Sequence, residues 1–161
     1  MFQDFKDLLS AFNAHGVKYL VVGGHAVSLH SQPRATKDLD LFVKADTANA
    51  QAIYDALKAF GAPVSDISPA DLADQTKFIR FGQEPVAVDI LPHIDGVDFD
   101  HAWERRLEKI IEDGPDLVVF FISREDLIAS KLAAGRTRDL ADVEEIQQAQ
   151  ASAKKPDENE S

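Results

Sequence analysis

Cysteine is absent from this chain, so disulfides, thiolate nucleophiles and Cys-based zinc sites are all excluded. An excess of positive charge is missing too: 17 Lys and Arg face 28 Asp and Glu, for a formal net charge of −11. That balance argues against a duplex or ribosomal surface as the main partner, because such binding needs a broad basic face. It leaves room for a single nucleotide, which needs only a local basic pocket and a cation. No apolar run approaches the length of a bilayer span. The opening residues, MFQDFKDLLSAF, mix acids into an amphipathic pattern and lack the basic start and unbroken apolar run of a signal peptide. A soluble cytoplasmic protein is expected.

What is present is an ordinary globular balance. With 161 residues, 45% of them hydrophobic and 28% charged, the chain suits one domain able to bury a core without staples. That domain is expected over residues 1–150, followed by an acidic tail over 151–161 with nothing to bury and hence disordered.

Periodicity outlines the elements. Phe2, Phe5, Leu8, Leu9 and Phe12 form one helical stripe over residues 2–14. Val17 to Val22 reads as a buried strand, broken by Gly23 and Gly24, with a short helix from His25 to His30. After a loop at Gln32, Pro33 and Arg34, residues Asp38 to Val43 form the next strand. Asp46 caps a helix over 47–60, and one turn is expected near Pro69 to Ala73. Thr76 to Phe81 and Pro85 to Leu91 read as strands joined through Gly82-Gln83-Glu84, with helix from Phe99 to Arg105. Leu107 to Ile111 and Leu117 to Ile122 are two more strands, turning at Asp113-Gly114-Pro115. Ser123 opens a capped helix that Gly135 ends, and Thr137 starts a last helix carrying Leu140, Val143 and Ile146. The order predicts one α/β (α+β) domain with a mixed β-sheet flanked by helices.

The chemistry concentrates in a few residues. On a strand, Asp38 and Asp40 project to the same face while Leu39, Leu41 and Val43 point into the core. Two carboxylates so close repel unless a cation lies between them, and an oxygen-loving divalent ion such as Mg²⁺ satisfies both. Taken alone, Asp-Leu-Asp is better read as a solvated strand end. Asp89 changes the weighing, because it interrupts the apolar run Val86 to Leu91. If its strand lies beside the first, three acids can hold two cations roughly 3.5–4 Å apart, an arrangement suited to phosphoryl or nucleotidyl transfer. The alternative for Asp89 is an ion pair with Arg80 or another nearby base.

Gly23 and Gly24, between strand and helix, let backbone N–H groups face an anion closely. They lack the further glycines of a Walker or dinucleotide-binding loop. Arg34, Thr36 and Lys37 can neutralise phosphate or pair with the acids that follow. Lys131 can do the same, or form a salt bridge to Asp139 or Asp142; pattern alone leaves both open. The five histidines show no zinc-ligand spacing; His25 could touch a ligand from the helix start, but a helix-surface residue is the better reading.

Gly23-Gly24, 13 intervening residues, Asp38-Leu39-Asp40 and then Asp89 together resemble the signature of the DNA polymerase β-like nucleotidyltransferase superfamily, over roughly residues 17 to 145. The stretches Arg34 to Asp40 and Lys131 to Asp139 are similar to small standalone bacterial members, some of them partners in toxin–antitoxin and phage-defence pairs. The resemblance implies Mg²⁺-dependent (alternatively Mn²⁺-dependent) transfer of a nucleoside monophosphate from a nucleoside triphosphate to an RNA, protein or small-molecule acceptor. It implies that Asp38 and Asp40 bind both metals, that Asp89 binds the metal nearer the acceptor and helps its hydroxyl lose a proton, and that Gly23 and Gly24 cradle the triphosphate. Arg34, Thr36, Lys37 and Lys131 would complete the nucleotide site. Gly24 stands where many members have serine, and no appended RNA-gripping domain is visible. The alternative reading is a nucleotide-binding regulatory or antitoxin-type partner subunit.

Overall fold

Phe5, Leu8, Leu9 and Phe12 recur at helical spacing and form the buried stripe of the first helix, α1 (Gln3–Ala14). The computed structural model describes residues 1–83, 86–112 and 114–154. After α1 come β1 (Tyr19–Val22), α2 (Gly23–His30), β2 (Asp38–Val43), α3 (Thr47–Phe60), α4 (Pro69–Ala73), β3 (Ile79–Gln83) and β4 (Val86–Leu91). The chain closes with α5 (Phe99–Glu104), β5 (Leu107–Ile111), β6 (Leu117–Phe121), α6 (Arg124–Ala134) and α7 (Thr137–Lys154). The six strands form one mixed sheet in the order β3-β4-β2-β1-β6-β5. Pairs β2/β4 and β1/β6 are parallel, and the other three are antiparallel. The expected mixed sheet flanked by helices is what the chain forms.

Local chemistry sets most boundaries. The Asp46 carboxylate accepts the Asn49 N–H at 2.7 Å and starts α3, which Gly61 closes in the left-handed region. Ser123 caps α6 by accepting the Asp126 N–H at 3.1 Å, and Gly135 ends that helix in the same way. Leu39 and Leu41 of β2 are fully buried, as the alternation requires, and truncating either to alanine should cost about 2–5 kcal/mol. Helix α1 packs on α3, while α2 contacts α6 and α7. Among the described residues no helix is long and apolar enough to cross a membrane.

Several expectations shift: Gly82 and Gln83, expected in the turn, are the last residues of β3, and the helix expected from His25 already starts at Gly23. Strand β3 begins at Ile79 instead of Thr76, because the Asp74 side chain accepts both the N–H (2.9 Å) and the hydroxyl (2.6 Å) of Thr76 and holds a turn there. Leu140 is 48% exposed, so it does not share the buried face of α7 with Val143 and Ile146. That face instead includes Asp139 and Asp142, which lie on its helical repeat and are buried with it. Helix α7 also runs on to Lys154, past the expected start of the tail; the rest of the tail, like Glu84 and Asp113 in the two expected turns, lies outside the described residues.

Candidate active site

The parallel pairing of β2 with β4 decides where the acids stand. Asp40 is the direct partner of Asp89, and Asp38 that of Ala87, so the three carboxylates share one sheet face on adjacent strands. On the far side of β4, Arg80 is the antiparallel partner of Asp89. Its guanidinium lies 2.8 Å from Asp89 Oδ2 and 3.5 Å from Asp38 Oδ2. The ion pair weighed against a metal role for Asp89 therefore exists. Asp38 Oδ1 is buried without a hydrogen-bond partner.

Asp40 is pushed up from the ordinary 3.8 to about 7, first by burial, then by a hydrogen bond with Asp89 and the charges of Asp89 and Asp38, with Arg80 opposing. A carboxyl whose folded pKa exceeds its unfolded value stabilises the fold below the unfolded value and loses that contribution as pH rises. The metal-free protein is expected to lose roughly 2–4 kcal/mol from this group between about pH 4 and pH 7. Asp40→Asn should flatten that part of the profile in urea melts taken across the range.

Among the described residues, no group of three His, Asp or Glu side chains is already spaced as a cation's ligand shell. In this arrangement the Arg80 guanidinium answers two of the acids. The donor set nonetheless fits a hard divalent ion: all carboxylate oxygen, three acids on one face, and a buried Asp38 oxygen with no other partner. Asp38, Asp40 and Asp89 are the residues that could hold it.

The glycine turn abuts the acids because Val22, the last residue of β1, is the partner of Asp40. Gly23 has φ +68°, and a Cβ there would lie 2.1 Å from Asp40 Oδ2. Gly24 faces Thr36: its Cβ would meet the Thr36 Cγ2 at 2.6 Å and the hydroxyl oxygen at 3.2 Å. Thr36 thus fills the space that a serine side chain at position 24 would enter. Gly24→Ser is expected to destabilise the fold by about 1 kcal/mol, and Thr36→Ser, which removes the clashing methyl, to restore most of it. A double-mutant cycle by denaturant unfolding measures that coupling.

Two clefts of about 530 and 410 Å³ meet at Gly23, Asp40, Lys131, Arg136 and Asp139. The larger holds the acids together with Arg34, Lys37, Arg136 and Arg138; the smaller adds apolar walls from Phe78, Leu91, Ile94 and Leu127. Lys131 Nζ lies 2.9 Å from Asp142 and 3.5 Å from Asp139, so the salt bridge weighed for it is made, while its side chain still borders both clefts. Arg34 reaches Asp142 at 3.0 Å and Arg136 reaches Asp139 at 2.7 Å. Burial pushes Asp142 up, but Arg34 and Lys131 outweigh it and hold the carboxyl below the usual range. Arg136, helped by Lys131 against burial, does the same for Asp139. Among the described residues Lys37 and Arg138 make no ion pair and are the uncommitted cations of the larger cleft. Arg136 and Arg138 join the cleft beyond the residues that the sequence pattern singles out; their signal in the sequence is the basic run just after Gly135. His25 is half-buried with its ring edge-on to Phe5, a packing role.

The family model described as a nucleotidyltransferase of unknown function (DUF6036) matches residues 1–151. The chain belongs to this family. It is therefore a transferase of nucleotidyl groups. No curated protein matches the sequence. Among solved structures, the nucleotidyltransferase is similar to the lincosamide antibiotic adenylyltransferase LnuA with lincomycin bound, at 17% identity and a TM-score of 0.53, covering 92% of this chain and 98% of that one. An antigenic nucleotidyltransferase-like protein from Paracoccidioides brasiliensis is 15% identical with a TM-score of 0.48, covering 92% of this chain and 84% of that one. At these identities the likeness to LnuA is one of fold.

Proposed function

We propose that this nucleotidyltransferase moves a nucleoside monophosphate from a nucleoside triphosphate to a hydroxyl-bearing acceptor, with Asp38, Asp40 and Asp89 holding divalent cations, Mg²⁺ or Mn²⁺. One observation carries the reading: Asp40 and Asp89 are register partners at the mouth of the Gly23-Gly24 turn. Cations bound there would neutralise the charge that builds on the phosphate oxygens during transfer. Gly23 and Gly24 bring the backbone N–H groups at the start of α2 up to the triphosphate, and having no side chains they leave Asp40 and Thr36 in place beside it. Lys37 and Arg138, which make no ion pair among the described residues, bind its outer phosphates. Asp89 takes the proton of the acceptor hydroxyl as its oxygen bonds to the α-phosphorus; the bond to the β-phosphate breaks and pyrophosphate leaves. The acceptor is an RNA, a protein or a small molecule. Incubation with α-labelled NTPs, Mg²⁺ or Mn²⁺ and cell extract, followed by mass spectrometry of the labelled product, tests this. Absence of label with every NTP and both metals would sink it.

A second reading, a nucleotide-binding partner subunit of toxin–antitoxin type, draws on Leu132 and Leu140, which are 54% and 48% exposed on α6 and α7. Stoichiometric co-purification of a partner protein, surviving Asp38→Asn plus Asp40→Asn, would favour it.

A further inference from the structure

Arg80, Asp89 and Asp40 form a row across three neighbouring strands, each the register partner of the next. The positive end of that row is also its most exposed member. Arg80 is 48% exposed at its side chain, whereas Asp89 is 23% exposed. One pair further along, the same face carries Gly82 and Ala87 beside Asp38. A missing side chain and a single methyl leave a trough through which the guanidinium reaches Asp38 at 3.5 Å while still holding Asp89 at 2.8 Å. The planar fork of donors lets one cation bridge both acids.

We propose that Arg80 is an internal counter-cation that competes with divalent ions for Asp38 and Asp89, and that an arriving triphosphate releases it. The inference rests on the reading of the three acids as a cation site. The guanidinium occupies the Oδ2 oxygens of Asp38 and Asp89 and neutralises the charge a divalent ion needs there, so the two cations compete for one pair of carboxylates even though Asp38 Oδ1 stays open. A triphosphate entering over Gly23 offers oxygens that a guanidinium pairs with in the same forked geometry. Arg80 then exchanges one set of anionic partners for another, and the acids become available. Cation alone binds weakly, cation and nucleotide bind cooperatively, and linkage makes the effect reciprocal. The half-exposed position of the guanidinium suits such an exchange, because leaving the acids opens no buried cavity.

The test is a titration of the full-length, metal-free protein with Mn²⁺, following the free-ion signal by electron paramagnetic resonance, with and without a non-hydrolysable ATP analogue. The unaltered protein should bind Mn²⁺ about tenfold or more tightly when the analogue is present, after correction for ion held by the analogue itself. Arg80→Met should bind Mn²⁺ alone about tenfold more tightly than the unaltered protein, and the gain from the analogue should shrink to less than about threefold. Arg80→Gln, which keeps a hydrogen-bonding group without the charge, should behave likewise and serves if the methionine variant folds poorly. Melting in EDTA should be lower for both variants and should recover more with Mn²⁺ than the unaltered protein does. Unchanged or weaker Mn²⁺ affinity in both variants overturns the proposal. If, alongside that unchanged or weaker affinity, the unaltered protein binds Mn²⁺ and Asp89→Asn loses it, the cation site stands and only the role of Arg80 is removed. If neither the unaltered protein nor the Arg80 variants bind Mn²⁺ with the analogue, the cation site itself is wrong.

Discussion

Asp40→Asn is expected to lower nucleotidyl transfer by about a thousandfold or more while leaving the metal-free protein at pH 8 as stable as the unaltered one, or more stable. The two effects have one cause. Asp40 is the central acid of the three: partner of Asp89 across the parallel pair and two residues from Asp38 on its own strand. A carboxylate there is costly to the empty fold, since burial and two neighbouring negative charges both oppose its ionisation. Asparagine is nearly isosteric, removes that charge, and can still hydrogen-bond Asp89. It cannot supply the negative charge that a divalent ion needs. Steady-state transfer assays and urea melts on the same preparation check the pair of outcomes. A variant that lost stability in step with activity would show that Asp40 serves the fold instead of the chemistry.

Gly23→Ala should remove at least about 99% of transfer activity and cost about 1–3 kcal/mol of stability. Any L-residue at φ +68° is strained, and the new Cβ would lie 2.1 Å from Asp40 Oδ2 and 2.9 Å from its Cγ. The cheapest relief is rotation of the Asp40 side chain away from Asp89, which is why activity suffers more than stability. Gly16→Ala supplies the control, with nearly the same φ of +67° but nothing within 4 Å of the added carbon. It should cost only about 1 kcal/mol and leave transfer unchanged. Equal losses of activity in the two variants would mean that backbone strain, and not the approach to Asp40, is what matters at Gly23.

Much of the framework was legible along the chain because its causes are local. Asp38 and Asp40 share a face because strand side chains alternate, and that holds wherever β2 goes. Asp46 and Ser123 cap their helices through residues three positions on, within reach of the same turn. The buried stripe of α1 follows from helical spacing alone. Where a side chain's fate depends on a distant segment, pattern stopped short. Leu140 fits an apolar repeat on paper, yet α7 turns inward the face holding Asp139 and Asp142, because Lys131 and Arg34 give those acids partners there. Lys131 could be read either as phosphate ligand or as structural ion pair until α6 met α7.

The acid site divides along the same line. Local pattern suffices for two carboxylates on one strand face, a pair of glycines shortly before them, and a third acid set into an apolar strand. Strand pairing across nearly fifty residues is a property of the whole sheet, in which loop closure and the burial of both faces select one register. Only that pairing set Asp89 against Asp40 and, with the β3–β4 pairing, brought Arg80 across to bridge Asp38 and Asp89, while the β1–β2 pairing pressed Gly23 so close to Asp40 that no side chain fits.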